Sequence, residues 1–364
     1  MSSILHASKS LTTLGLKQST YRVLSLTPQT SCRAFTAFSA QSIQQHVVAP
    51  QPLHPELEAG AHSVQVEEPA LDSVTSKPPT NSLLKSDSHD YFTSAAWPHP
   101  IYTKDQMEAV GVSHRAATTM SDKVAFATIE VLRSCFDFAT GYTHPKPGHE
   151  KEAAMTADQW MMRIVFLESI AGVPGMVGGM VRHLHSLRCL RRDRAWIETL
   201  LEEAYNERMH LLTAMKIYKP GRFMRLMLLG GQGVFFNLFF AAYLVSPRTC
   251  HRFVGYLEEE AVITYTRCLS DLRNGLIPDL AKQEVPDIAK QYWKMSDDST
   301  MTDLFLYIRA DEAKHREVNH TFGNLDQKSD RNPFAMKIDN GKPQPSKGLD
   351  SYEPVGWEKK DIAA

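Results

Sequence analysis

From about residue 120 to residue 325 apolar side chains recur every three or four positions, the spacing of helices that bury one face. Six long helices are predicted there. The first starts at Ser121-Asp122, a capping residue followed by an acid that favours the first turn, and runs to about Thr140 before the stop at Gly141. Its stripe of Val124, Ala127, Val131, Cys135 and Phe138 is widened by Phe126, Ile129, Leu132 and Phe136, so little polar surface remains. Such a helix suits a place half in protein and half in something greasy. The others cover about Thr156–Arg182, Trp196–Tyr218, Leu226–Val245, His251–Asn274 and a last segment around Phe305–Phe322 that neither Gly nor Pro interrupts. This implies an all-α chain.

The segments outside that region have no such rhythm. Residues 1–55 contain no acidic residue and scatter Lys9, Lys17, Arg22 and Arg33 among serines, threonines and apolar residues. That composition predicts an organelle transit peptide, mitochondrial rather than plastid. Residues 56–118 are rich in Pro, Ser and His and read as an arm ordered only where it touches something. The helical domain is placed at 119–325, and the polar, Pro-rich stretch 326–364 reads as a surface tail.

The run Leu226–Val245 is twenty residues of nearly unbroken apolarity, enough to cross a bilayer. Basic residues flank both of its ends (Arg222 and Arg225; Arg248 and Arg252), so no charge bias sets an orientation. Candidate ligands also lie on both sides of it in sequence, and a spanning helix would part them by about 30 Å of hydrocarbon. The expectation is therefore a helix lying in the membrane surface, a monotopic arrangement. The arginine-rich stretch Arg182–Arg194 reads as a solvated turn that can meet anionic headgroups.

Charge and cysteine content narrow the chemistry. A net charge of −1 provides no field to recruit nucleic acid. The five cysteines are scattered, without Cys-x-x-Cys, which excludes a disulfide scaffold, a zinc ribbon and a thiolate-held iron–sulfur cluster. A metal here has to be held by Glu and His, ligands suited to non-haem iron or manganese. Glu312 and His315 stand three apart in a helix, on one face and one turn from each other. A second Glu-x-x-His is Glu207 with His210. Glu168 sits inside an apolar run, where an unpartnered charge costs several kcal/mol and calls for a cation, a proton or a metal. Of the successive Glu258, Glu259 and Glu260, Glu258 shares a face with Tyr265 seven residues on and is the one expected to point inward.

The resulting order (Glu, Glu-x-x-His, Glu, Glu-x-x-His) is the ligand set of a di-iron carboxylate four-helix bundle. Asn206 and Asp311 immediately precede the two Glu-x-x-His glutamates and can orient the ligands, Asp311 by accepting from an imidazole. Tyr265 is either a proton and electron donor beside the cluster or a core tyrosine. No flavin, nicotinamide or haem motif is visible, so the apolar surface suggests a lipid-soluble electron donor.

The motifs Leu167-Glu168-Ser169, Asn206-Glu207-Arg208-Met209-His210-Leu211, Leu257-Glu258-Glu259-Glu260-Ala261 and Arg309-Ala310-Asp311-Glu312-Ala313-x-His315-Arg316 resemble those of the mitochondrial alternative oxidases, from about residue 120 to 325. The resemblance implies a ferritin-like four-helix bundle with two membrane-surface helices, at about 121–140 and 222–245. It implies a cyanide-insensitive oxidase that transfers electrons from ubiquinol to O₂ without pumping protons, dimeric and monotopic on the matrix face of the inner membrane. Two iron ions would be held by Glu168, Glu207, His210, Glu258, Glu312 and His315. By the same likeness Tyr265 stands beside the cluster, Trp293, Asn206 and Asp311 support activity, and Arg163, Leu167, Leu257 and Ala261 line the quinol pocket. Plant members carry a regulatory cysteine before the first helix; residues 33–134 contain none, which speaks against disulfide control of that type. Lys314, between the two ligands, should point away from the metal. A plastid-type quinol oxidase and a di-iron hydroxylase of quinone precursors use similar ligands, an iron-storage cage conflicts with the long apolar run, and a metal-free bundle leaves four motifs unexplained.

Overall fold

The amphipathic segments fold as helices in a computed structural model that describes residues 95–145 and 151–364. The transit peptide expected at 1–55 and the arm up to residue 94 lie outside the described residues. Nine helices occur among those described: α1 (Lys104–Glu108), α2 (Met120–Thr140), α3 (Ala157–Cys189), α4 (Trp196–Ile217), α5 (Arg222–Val245), α6 (Pro247–Arg273), α7 (Pro278–Ala281), α8 (Asp287–Trp293) and α9 (Met301–Asn324). The protein is all-α, a helical bundle.

Local chemistry sets the ends of these helices. Thr119, not Ser121, caps α2: its side chain accepts from Asp122 N while the Asp122 carboxylate accepts from Thr119 N. Thr156 with Gln159 and Thr300 with Asp303 form the same box at α3 and α9. Gly141, at φ 67°, closes α2 in the left-handed region where a side chain would be strained. The α3 helix continues past Arg182 to Cys189, through residues expected to form a turn. Arg182 is not free in solvent. Its Nε donates to Asp193 at 2.7 Å and its guanidinium lies 4.4 Å from the centre of the Trp196 ring, so the basic stretch is fastened back onto the start of α4.

Helices α3, α4, α6 and α9 make the bundle. Along α3 and α4 the contacts run in opposite senses, Gly172 facing Glu207 and Gly179 facing Leu200 and Leu201. Their closest approach is at Gly175, where an added Cβ would stand 2.5 Å from Leu200 O and 3.1 Å from Ala204 N. Backbone cannot step aside as a flexible side chain can. Gly175→Ala should therefore cost about 1–3 kcal/mol by overpacking, read as a lowered midpoint of thermal unfolding. An unchanged midpoint would mean that the two helices part freely there.

Two helices lie outside the bundle. Helix α2 runs along α6, tied by Arg252 Nε to Asp122 at 2.8 Å and by Ile129 against Tyr256. Helix α5 runs along α3, with Gly231 over Phe166, Gln232 donating to Ser169 O at 2.9 Å, and Tyr243 beside Gly178. Val124, Val131 and Phe138 of the expected α2 stripe face outward, while Asp122, Ala125 and Ile129 are the buried positions. Among the described helices α3 and α5 are long and apolar enough to cross a membrane. The first is a bundle helix; the second buries only Phe239 and Tyr243 and exposes Phe223, Leu226, Leu229, Val234 and Leu238.

The segments flanking the bundle are packed rather than loose. Gln106 of α1 donates to Asp350 at 2.9 Å, joining the arm to the tail. In the tail, Leu325, Phe334 and Ile362 close a cluster with Trp196, Leu200 and Phe322, and Trp357 Nε1 donates to Glu317 at 2.5 Å. The connection from α6 to α9 carries the short helices α7 and α8, which bury Leu280, Tyr292 and Trp293.

Candidate metal centre

Each bundle helix sends carboxylates or imidazoles into one buried space. Glu168 comes from α3, Glu207 and His210 from α4, Glu258 from α6, and Glu312 and His315 from α9; all six are buried. They form two overlapping groups, Glu168–Glu207–His210–Glu312 and Glu207–Glu258–Glu312–His315, each offering one ligand atom per residue within 4.8 Å of the others. Glu207 and Glu312 belong to both. His210 Nδ1 lies 3.1 Å from Glu312, 3.4 Å from Glu168 and 3.5 Å from Glu207. His315 Nδ1 lies 2.6 Å from Glu207.

These distances are not hydrogen bonds. Glu168 Oε2, both Glu207 oxygens, His210 Nδ1, Glu312 Oε2 and His315 Nδ1 are buried without a partner in hydrogen-bonding geometry. Buried polar atoms are almost always satisfied, so six orphans aimed at one another need a common partner. Lone pairs converging on a cation supply that explanation, and four carboxylates with two imidazoles can hold metal ions of the hard to borderline class.

The electrostatics agree. Burial first, and then the Glu312 charge, pushes Glu168 up to about 8 and Glu258 well above the carboxylate range. Burial acts on Glu207 in the same direction, but His210 and His315 beside it hold its carboxyl well below the usual range. Burial opposes charge on both imidazoles, yet Glu207 keeps each of them well above the usual histidine value. These directions favour the protonated forms of Glu168, Glu258 and both imidazoles, so a metal binding there would compete with protons.

Asp311 organises the next layer. Its Oδ2 accepts from Trp293 Nε1 at 2.8 Å, from Asn206 Nδ2 at 3.1 Å and from His210 Nε2 at 3.1 Å. Asn206 Nδ2 also donates to Tyr292 at 3.0 Å. The carboxylate fixes the Nε2–H form of His210 and turns Nδ1 to the cage. Lys314 points away as expected, pairing with Glu317 at 2.5 Å over the Phe334 ring.

Tyr265 lines the same cavity as Glu258, and its phenol donates to Glu168 Oε1 across the α3–α6 contact. Of the three successive glutamates, Glu259 is buried as well as Glu258, accepting from His320 at 2.9 Å, while Glu260 meets Arg133. Nor does Glu168 pair with Arg163, whose guanidinium donates to Asp137 at 2.7 Å between the rings of Phe136 and Tyr142.

An apolar cavity of about 490 Å³ reaches the cage from outside. Arg163, Leu167, Leu257 and Ala261 line it together with Glu168, Glu258, Tyr265 and Glu312. Its outer walls are Leu132 and Phe136 of α2 and Val234 and Leu238 of α5, the two helices with exposed apolar faces.

Two residues at the site went unnoticed in the sequence. Glu203 is buried one helical turn before Glu207, accepting from Asn319 at 2.9 Å, and burial pushes it up to about 7. The four-residue spacing to Glu207 was the available signal. His99, in the arm, donates to Asp311 Oδ1 at 2.7 Å across a separation of 212 residues. No local pattern announces such a contact.

Comparison with known proteins gives the chain its relatives. The family description "Alternative oxidase" matches residues 102–324. A protein of Yarrowia lipolytica named "Alternative oxidase, mitochondrial" is 64% identical over 292 residues, covering 79% of this chain and 83% of its own length. Its namesake in Emericella nidulans is 56% identical over 305 residues (80% of this chain, 86% of its own), and "Alternative oxidase 2, mitochondrial" of Candida albicans is 54% identical over 280 (75% and 77%). The matched span runs from the arm through the last cage helix, and by that likeness the chain is an oxidoreductase belonging to the alternative oxidase family.

Proposed function

We propose that the chain is a cyanide-insensitive terminal oxidase that takes electrons from ubiquinol and reduces O₂ to water. The observation that carries this reading is the apolar cavity running from the exposed α2 and α5 faces to Glu168, Tyr265 and Glu312. A lipid-soluble donor can enter it from a bilayer without crossing water. Two iron ions would be held by Glu168, Glu207, His210, Glu258, Glu312 and His315, of which Glu207 and Glu312 belong to both ligand groups. Bound there, they would supply the paired electron transfer that full reduction of dioxygen requires.

The chain's own groups handle binding and protons. Leu167, Leu257 and Ala261 accept the apolar parts of a quinol, and Arg163 stands at the wall with its charge already neutralised by Asp137. The Tyr265 phenol donates to Glu168 at the inner end of the cavity, where a quinol hydroxyl would arrive. Two quinols give up four electrons and four protons, and one O₂ consumes both sets in making two waters. Trp293 and Asn206 keep Asp311, and through it His210, in place.

The exposed α2 and α5 faces suit a monotopic chain on the matrix face of the mitochondrial inner membrane, in keeping with the acid-free N-terminal segment. A protein lying on one surface releases and consumes protons on the same side, so turnover moves no charge across the membrane. A second exposed stripe on α3 (Met176, Leu184 and Leu187) supports pairing with a second copy.

Oxygen uptake by membranes containing the protein, given ubiquinol and cyanide, tests the reading. Sustained uptake that stops when iron is removed is the expected result. Absence of uptake from a folded, iron-loaded sample, with an oxygenated quinone product instead, would replace it with the hydroxylase reading.

A further inference from the structure

We propose that His99, in the arm before the first long helix, is a positioning residue for the metal centre, acting through Asp311 on His210. The residue lies outside the span that matches the family description, which begins at residue 102. The inference rests on reading the cage as a metal site.

The two oxygens of Asp311 are served unequally. Oδ2 takes the three donors Trp293, Asn206 and His210. Oδ1 takes His99 Nε2 at 2.7 Å, and the buried Tyr102 phenol, beside the His99 ring, also interacts with the Asp311 carboxylate. An aspartate turns about its last side-chain bond unless both oxygens are engaged. His99, at 2.7 Å from Oδ1, opposes this rotation. The Asp311 plane in turn sets the direction of Oδ2 toward His210 Nε2, and so the aim of Nδ1 into the cage. Both members of the His99–Asp311 pair have side chains only 2% exposed, so water does not substitute for the imidazole.

The arm is built to hold that ring. Pro98 and Pro100 flank His99; the first fixes its own backbone, and the second confines His99 to extended conformations. The rings of Tyr102, Tyr292, Trp293 and Tyr307 meet the imidazole edge-on, at centroid distances of 5.0, 5.2, 6.1 and 6.4 Å. With Nε2 committed as donor to a carboxylate, the tautomer is set. A carboxylate that orients a ligand imidazole typically changes metal affinity or activity 10–100-fold when lost, roughly the scale at stake here.

Two substitutions separate positioning from packing. His99→Gln keeps an N–H donor at about the place of Nε2 but leaves the aromatic cage underfilled. His99→Phe fills the cage and donates nothing. Each full-length variant is titrated with cobalt(II) against a competing chelator, following both affinity and the visible absorption of the bound ion, which needs no turnover. The expected result is wild-type-like affinity and spectrum for His99→Gln, and for His99→Phe an affinity lower by about tenfold or more with a shifted spectrum. Should His99→Phe fail to fold, His99→Asn takes its place with the same expected loss, because its amide is too short to reach Oδ1. Wild-type affinity and spectrum in the Phe variant, or an equal loss in the Gln variant, would reduce His99 to packing. A wild-type protein that binds no metal would overturn the metal-centre reading itself.

Discussion

Glu312→Ala should leave a folded protein that binds no functional metal centre and has no measurable oxidase turnover. Glu312 belongs to both ligand groups, so its loss strikes both sites at once. The loss should exceed the roughly 10–100-fold that follows removal of an outer hydrogen-bonding partner. In the metal-free protein the sign reverses. After burial, the Glu312 charge is the largest influence pushing up both Glu168 and Glu258, so deleting it relieves repulsion among buried carboxylates. The metal-free variant should thus melt no lower than metal-free wild type. Wild type gains stability on loading, about 4 kcal/mol at a thousandfold excess of metal over Kd, and the variant gains none. Iron content by elemental analysis and melting curves with and without metal check this. Normal iron and turnover would remove Glu312 from the ligand set.

The second large effect is expected at Tyr265. Tyr265→Phe keeps the ring, which packs near Phe305 at 5.8 Å between centroids, and removes only the hydroxyl bonded to Glu168. Burial, and next the Glu168 charge, holds the phenol well above its ordinary value, so it stays protonated across any working pH. Held in a hydrogen bond to Glu168, that phenol can help relay a proton released by a bound quinol. Losing a positioned proton donor typically costs about 10²–10⁴ in rate. Turnover should fall by that order while iron content and quinol affinity persist. Wild-type turnover in the variant would make the phenol a packing group.

What was legible in the sequence is what depends on neighbours along the chain. Two Glu-x-x-His pairs fix one-turn spacing on a helix, and the bundle needs only to face them toward each other. The end of helix α5 at Val245 was readable from the apolar run that closes there, whereas its first turn, Arg222–Arg225, is basic and precedes that run. The partner of Tyr265 was not readable, because it depends on where α6 crosses α3 and not on the seven-residue spacing to Glu258. The extension of α3 through Cys189 comes from Arg182 reaching Asp193 and Trp196, which composition shows only as a cluster of charge. Polar composition also hid the packing of the tail: Phe334 and Ile362 are few, but each enters the cluster around Trp196.

The clasp between arm and tail has a consequence for the order of assembly. Gln106 meets Asp350 across 244 residues, a wider separation than between any two cage ligands, and the tail beside it is held by Arg316 to Tyr352 and by the Glu353 amide, which donates to Glu317 at 2.9 Å on the helix that carries Glu312 and His315. Contacts between distant parts of a chain close late in folding, because loop entropy must be overcome before they contribute. The four ligand helices can therefore gather before the ends of the chain secure them. A nascent or partly translocated polypeptide would present glutamates and histidines without the finished walls around them. Completing the clasp last makes docking of the tail the event that secures the cage, so a chain cut before Asp350 is expected to bind metal ions there more weakly.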